Sequence, residues 1–313
     1  MIRDLTIFSK VKFLGGGIDK YLRPKGPPLA GKLDNLEILG SIFRRSQYMN
    51  LAELTAHFRR FSGQESLAVQ YAKIHEAGRQ AVLSGEIFHD PLARAGDHGE
   101  ADGVDLIVNQ EQFPDALQDR FRRMLLFIKG DEPNVVTQPE GTFHVSVLCL
   151  NPTYSDQLKG SSGPRRVYRG PSVLDLMRYD DYLIKTAGVM ATTKPFKIRF
   201  GGLCVSPKAL FVGGFADNDA MANLRVALAT AFFEQDLSFS EAQPNIVHIA
   251  AARFTGPLMD PRAFIARCNQ WHTTNLGQML VDRVVLVREM GAYLSKYQFE
   301  NTFLLGTDWV KFP

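Results

Sequence analysis

Two short apolar segments constrain this chain most, because each carries a histidine at its centre. They are residues 142–147, Thr-Phe-His-Val-Ser-Val, and residues 245–250, Asn-Ile-Val-His-Ile-Ala. β-Branched and aromatic residues alternate with smaller or polar ones in both, the pattern of a strand with one face in a core. Side chains alternate faces along a strand, so the residue two positions on points the same way as the histidine. His144 therefore shares a face with Ser146, and His248 with Ala250. A fold that contains both segments must turn two imidazoles to one side of its sheet or sheets.

The chain around them reads as strands interleaved with helices. Asn50, with Glu53 three residues later, opens a helix carrying Leu54 and Phe58. A second helix, over residues 64–83, presents Leu67, Tyr71, Ile74 and Gly78 on one face and stops at Gly85. Residues 90–103 are small, polar and rich in turn formers, and are the best candidate boundary. Beyond it come a strand at 104–108, a helix from Pro114 bearing Leu117, Phe121, Met124, Leu125 and Ile128, and a strand over 143–150. Ser172 is expected to cap a helix through Lys185. Strands at 196–200 and 209–215, a helix over 219–233, a strand at 246–251 and a helix opened by Asp260-Pro261 follow. Two last strands, 281–287 and 298–305, flank a turn at Gly291. The order suggests an α+β domain of two similar halves over residues 96–313, preceded by a mainly helical extension over residues 1–95.

Charge narrows the function classes little. Lysines and arginines number 36 against 33 acidic residues, a net +3 that permits a phosphate-bearing ligand without resembling a protein that coats nucleic acid. Cys149, Cys204 and Cys268 are odd in number and widely spaced, which suggests neither a disulfide framework nor a zinc site, and favours a reducing compartment. The first apolar stretches are cut by Lys10, Lys12 and Asp19, which fits neither a secretory leader nor a membrane span. A soluble, cytoplasmic protein that does not engage membranes is the expectation. Oligomeric state is not legible.

Two imidazoles converging on a phosphodiester can divide acid-base work, one accepting the proton of the attacking oxygen while the other protonates the leaving oxygen. A hydroxyl on the same face can hold a non-bridging phosphate oxygen where charge gathers in the transition state. On these residues the chain resembles the 2H phosphoesterase superfamily, which includes RNA 2',3'-cyclic phosphodiesterases and 2'-5' RNA ligase-like proteins. The family's mark is a pair of His-x-Thr/Ser motifs on strands. His144-Val145-Ser146 matches the first in full, and His248-Ile249-Ala250-Ala251-Ala252-Arg253 matches the second except for its hydroxyl. The resemblance covers residues 104–306. It implies a two-lobed, pseudo-symmetric domain whose antiparallel sheets line a central cleft. His144 and His248 would be the catalytic pair, and no metal or other cofactor is expected. Ser146, Arg253 and Tyr297 would bind a nucleotide or RNA-type phosphodiester, with Trp271 a further candidate for stacking a base. Losing one hydrogen bond to a charged group, roughly 1.5–3 kcal/mol, slows turnover about tenfold to a hundredfold, so Ala250 leaves a second reading open: a domain that binds nucleotide without turning it over.

His272-Thr273-Thr274 is a rival second motif, but it follows Gln270-Trp271 at a helix end and lacks apolar flanks. His57, His75, His89 and His98 lie in the helical part and the boundary loop, where solvated histidines are the plain account. His89-Asp90-Pro91 suits a turn better than a metal site. Lys159, Arg165, Arg166 and Arg169 stand in a basic loop that suits a nucleotide backbone or a solvated linker equally. Gly15, Gly16 and Gly17 lack the Lys-Ser/Thr of a phosphate-cradling loop.

Overall fold

The computed structural model describes residues 50–94, 100–150, 178–237, 239 and 245–307. The glycine run at 15–17, His98, the basic loop with Lys159, Arg165, Arg166 and Arg169, and the Ser172 helix start lie outside them. The described residues form one compact unit. Its first helix, α1 (Leu51–Arg59), opens on the capping box read from sequence. Asn50 Oδ1 accepts the Glu53 N–H at 2.9 Å and the Glu53 carboxylate accepts the Asn50 N–H at 3.0 Å. Helix α2 (Gln64–Ser84) ends on Gly85 in the left-handed conformation, φ 76°. Leu54, Phe58, Ala81, Val82 and Ile87 join the same core as the sheet, so α1 and α2 share the core of the domain that follows them. A single helical turn, α3 (Pro91–Arg94), comes next.

The described strands form one antiparallel sheet of nine, ordered β7-β4-β5-β6-β3-β1-β8-β9, with β2 pairing β6 off this path. They are β1 (Glu100–Asn109), β2 (Val135–Thr137), β3 (His144–Cys149), β4 (Phe196–Val205), β5 (Ala209–Ala216), β6 (Val247–Phe254), β7 (Gly277–Val281), β8 (Arg283–Gly291) and β9 (Lys296–Leu304). The helices between them are α4 (Asp115–Lys129), α5 (Tyr179–Thr192), α6 (Ala220–Phe233) and α7 (Pro261–His272). Four strands on each side of the β6/β3 seam make two similar halves. Helices α4 and α7 pack behind β2, β4 and β7, while α5 and α6 pack behind β9 and β3. The architecture is the α+β, two-halved antiparallel fold the sequence suggests.

The two halves touch at the seam through one bridging pair, Val145 with Ile249. Both side chains are fully buried in the main core, on the helix-covered side. Alternation then turns His144, Ser146, His248 and Ala250 to the opposite, concave side. Helix α2 lies over part of that side. Gly213, which pairs with His248, leaves room for the Tyr71 ring where a Cβ would sit 2.9 Å from it. Leu67 and Tyr71 pack with Cys204 and Phe211 in a small cluster of their own.

The structure amends several sequence boundaries. The run 281–287 breaks at Asp282 into the end of β7 and the start of β8, because the Asp282 carbonyl accepts the Leu305 N–H instead of continuing a ladder. Strand β2 has three residues, too few to show a period. Helix α5 runs to Thr192, past Lys185. Among the described residues no helix is long and apolar enough to cross a membrane.

Candidate active site

Each histidine of the seam is tied by a ring N–H to the carbonyl two residues before it. His144 Nδ1 donates to the Thr142 carbonyl at 2.8 Å, and His248 donates to the Ile246 carbonyl. A carbonyl can only accept, so the bonded nitrogen carries the proton and the other presents a lone pair. Continuing the register from Val145 and Ile249 sets His144 opposite Ala250 and Ser146 opposite His248. Burial lowers the pKa of both imidazoles. His144 is lowered further by Arg253, and His248 falls to about 4 as Arg225, His144 and Arg253 add to its burial. The His248 ring meets Phe211 edge to face, with centroids 5.6 Å apart.

Arg253 lies five residues beyond His248, an odd spacing that in a regular strand would send it to the core side. A bulge in β6 opposite Leu210 and Phe211 inserts one residue, so Ala251 and Ala252 both face the core and Arg253 returns to the side of His248 and Ala250. Its guanidinium carbon lies 3.3 Å from the centroid of the Tyr293 ring, and Nη1 pairs with Asp90 at 3.5 Å. Arg253 and Tyr293 line a small pocket with Ala250, Thr137 and Gln138. Tyr297, on β9, packs with Ile107, Val285, Val287 and Leu294 on the concave side of the other half; Ile107 pairs with Ser146. Its hydroxyl donates to the Gly141 carbonyl at 3.3 Å.

Several solved structures have a fold similar to this chain's. Its fold is similar to that of TT0787 of Thermus thermophilus (17 % identity, TM-score 0.46), covering 65 % of this chain and 98 % of that one. It is similar also to Escherichia coli LigT complexed with NADP+ (9 % identity, TM-score 0.42), over 66 % of this chain and 99 % of the other. Kluyveromyces marxianus Usb1 is a third (12 % identity, TM-score 0.36), with the same two coverages. No family model and no curated protein matches the sequence.

Other sequence candidates fall away from the histidine face. Trp271 belongs to α7 behind the sheet, where it packs on the core and meets Phe127 at 6.4 Å; it is not placed to stack a base beside the histidines. His272 ends α7, with Nδ1 donating to the Leu203 carbonyl at 2.9 Å and its ring stacked on His75 at 3.7 Å. The structure places it on no strand. His75 is itself buried, its Nδ1 accepting the Val205 N–H. That contradicts the plain reading of a solvated histidine, because Gly78, one helical turn on, lets α2 lie directly against the Val205 backbone.

Four residues of the region were not read from sequence as site residues. Asp90 is buried, caps α3 and meets Arg253 and Tyr293; Asp-Pro at a helix start was the visible signal for its cap. Arg225 of α6 donates to carbonyls of both histidine strands. Asp105 and Glu289 are buried carboxyls on β1 and β8. The Glu289 carboxylate accepts the Leu294 N–H at 2.8 Å, holding a turn in which Tyr293 and Leu294 both have positive φ. Burial first, then Asp105, raises Glu289 to about 8. Its unfolded value is near 4.5, so the stability its neutral form contributes is full below 4.5 and lost as pH rises through 8. Glu289→Gln, neutral at every pH, is therefore expected to gain on the wild type in urea midpoint between pH 4.5 and about 8 and to hold a constant advantage above that. A gap that does not widen over that window would mean Glu289 is ionised in the folded protein.

Proposed function

We propose that this chain is a metal-independent phosphodiesterase acting on a 2',3'-cyclic phosphate or a 2'-5' linked or cyclic oligonucleotide. The observation that carries the reading is the pair of imidazoles on one face of a single seam, each anchored through one nitrogen and presenting the other. In the hydrolytic direction one imidazole is the base and the other the acid. The base takes a proton from water as its oxygen bonds to phosphorus, and the imidazolium of the other gives its proton to the ribose oxygen as the P–O bond breaks. Ser146 donates to a non-bridging oxygen, Arg253 offsets phosphate charge from the Ala250 side, and Tyr297 meets the rest of the nucleotide.

The decisive experiment is product analysis by mass spectrometry, with excess chelator, on 2',3'-cyclic mononucleotides, 2'-5' and 3'-5' oligonucleotides and cyclic dinucleotides. Turnover that survives chelation and needs both histidines supports the reading. Its pH dependence adds a check. One imidazole must be protonated and the other not, and both titrate below the usual 6.5. kcat/KM is expected to fall as pH rises past 6.5, and a plateau extending to about pH 8 would contradict the assignment.

Ala250 favours a second reading, a domain that binds the nucleotide without cleaving it. Saturable binding of a 2',3'-cyclic nucleotide with no product on long incubation would select it.

A further inference from the structure

Strands β3 and β6 are bridged at the single pair Val145 and Ile249. Arg225 reaches this seam from α6. Its Nε donates to the Val147 carbonyl at 3.1 Å and Nη2 to the Ser146 carbonyl at 2.7 Å. Nη1 and Nη2 both donate to the Ile246 carbonyl at 3.2 Å. The side chain is 2 % exposed, and all its hydrogen bonds here run to neutral carbonyls. A buried cation compensated only by carbonyl dipoles is costly, and an apolar side chain of similar length would fill the volume without that cost. A planar fork of donors, however, grips two strands at once.

One of the gripped carbonyls belongs to Ile246, the same group that accepts the ring N–H of His248. We infer that Arg225 is a positioning residue for His248: by holding Ser146, Val147 and Ile246 together it sets the spacing of the two histidine strands and orients the imidazole through a shared carbonyl. The inference rests on the acid-base role proposed for the histidines, while its geometry does not. The charged groups that act on His248 are Arg225 from α6, His144 from β3 and Arg253 from its own strand, and Tyr71 of α2 lies over Gly213, the residue paired with it. Arg225 itself faces Tyr71 of α2 and Cys149 of β3. Burial first, then Arg225, His144 and Arg253, favour the neutral form of His248.

The test uses the full chain, with Arg225→Met and Arg225→Lys beside the wild type. Side-chain titration of His144 and His248 is followed by NMR, and kcat and KM are measured on 2',3'-cyclic UMP. In Arg225→Met the midpoint of His248 is expected to rise toward 6.5 while that of His144 stays in place. Arg225→Lys keeps the charge but not the fork. Its His248 midpoint is expected to stay low while kcat drops about tenfold at unchanged KM, as misplacement of a reacting group predicts. Amide exchange at Val145 and Ile249 is expected to quicken in the lysine variant. An unmoved His248 midpoint in folded Arg225→Met would overturn the inference. So would Arg225→Lys with wild-type kcat and exchange, and that arm decides alone if the methionine variant does not fold. If the wild type cleaves nothing, the proposed function fails, yet the His248 midpoint and the amide exchange still decide whether Arg225 governs the seam.

Discussion

Alanine at His144 or at His248 is expected to lower kcat by about 10²–10⁴-fold, the usual contribution of a positioned general acid or base. Because the proposed reaction uses both imidazoles for one proton inventory, the double variant should lose little more than the worse single one. His248 is half-buried and His144 is 8 % exposed, so removing either ring costs packing as well as chemistry. Asparagine at each position is the control, since it keeps a polar group near the anchoring carbonyl but cannot relay a proton at neutral pH. Steady-state kinetics on the responsive phosphodiester, with thermal melts of each variant, separate the two effects. Activity retained in both asparagine variants at unchanged melting temperature would remove the histidines from the reaction.

The histidine face was legible because it depends on a local rule. Period-two alternation places His144 with Ser146 and His248 with Ala250 whatever the remainder of the sheet does, and the buried pair Val145 and Ile249 fixes the side. What the sequence hides is set by departures from that rule or by contacts distant in the chain. Arg253, named through its motif and not through strand alternation, reaches the concave side only through a bulge, and a bulge leaves no mark in Ala-Ala-Ala-Arg. Arg225 sits among Leu224, Val226, Ala227 and Leu228 in an apolar helix. There a single charge reads as a surface residue until the carbonyls of Ser146 and Ile246 are seen beside it. Asp90 meets Arg253 across most of the chain's length, which no local pattern encodes. Gly78 and Gly213 admit α2 to the concave side by what they lack, and each looks like an ordinary interruption of a helix or strand until its neighbour is known.

Restoring a hydroxyl at position 250 is the test that bears most directly on whether this site is a slow enzyme or a binder. Ala250 is half-buried on the concave side, opposite His144 and paired on its other flank with Phe211. Threonine suits the strand by its β-branch, and the small pocket beside Ala250, shared with Thr137, Gln138, Arg253 and Tyr293, receives its extra atoms. A hydroxyl there would mirror Ser146 across the seam and donate to a second non-bridging oxygen. A hydrogen bond to a charged group contributes roughly 1.5–3 kcal/mol. If that bond strengthens in the transition state, Ala250→Thr is expected to raise kcat about tenfold to a hundredfold, with KM changing less. Ala250→Val, equal in shape but without the oxygen, controls for packing and should not accelerate turnover. A threonine variant that binds 2',3'-cyclic nucleotide more tightly with no rise in kcat would place the new contact in the ground state, and would turn the site toward binding.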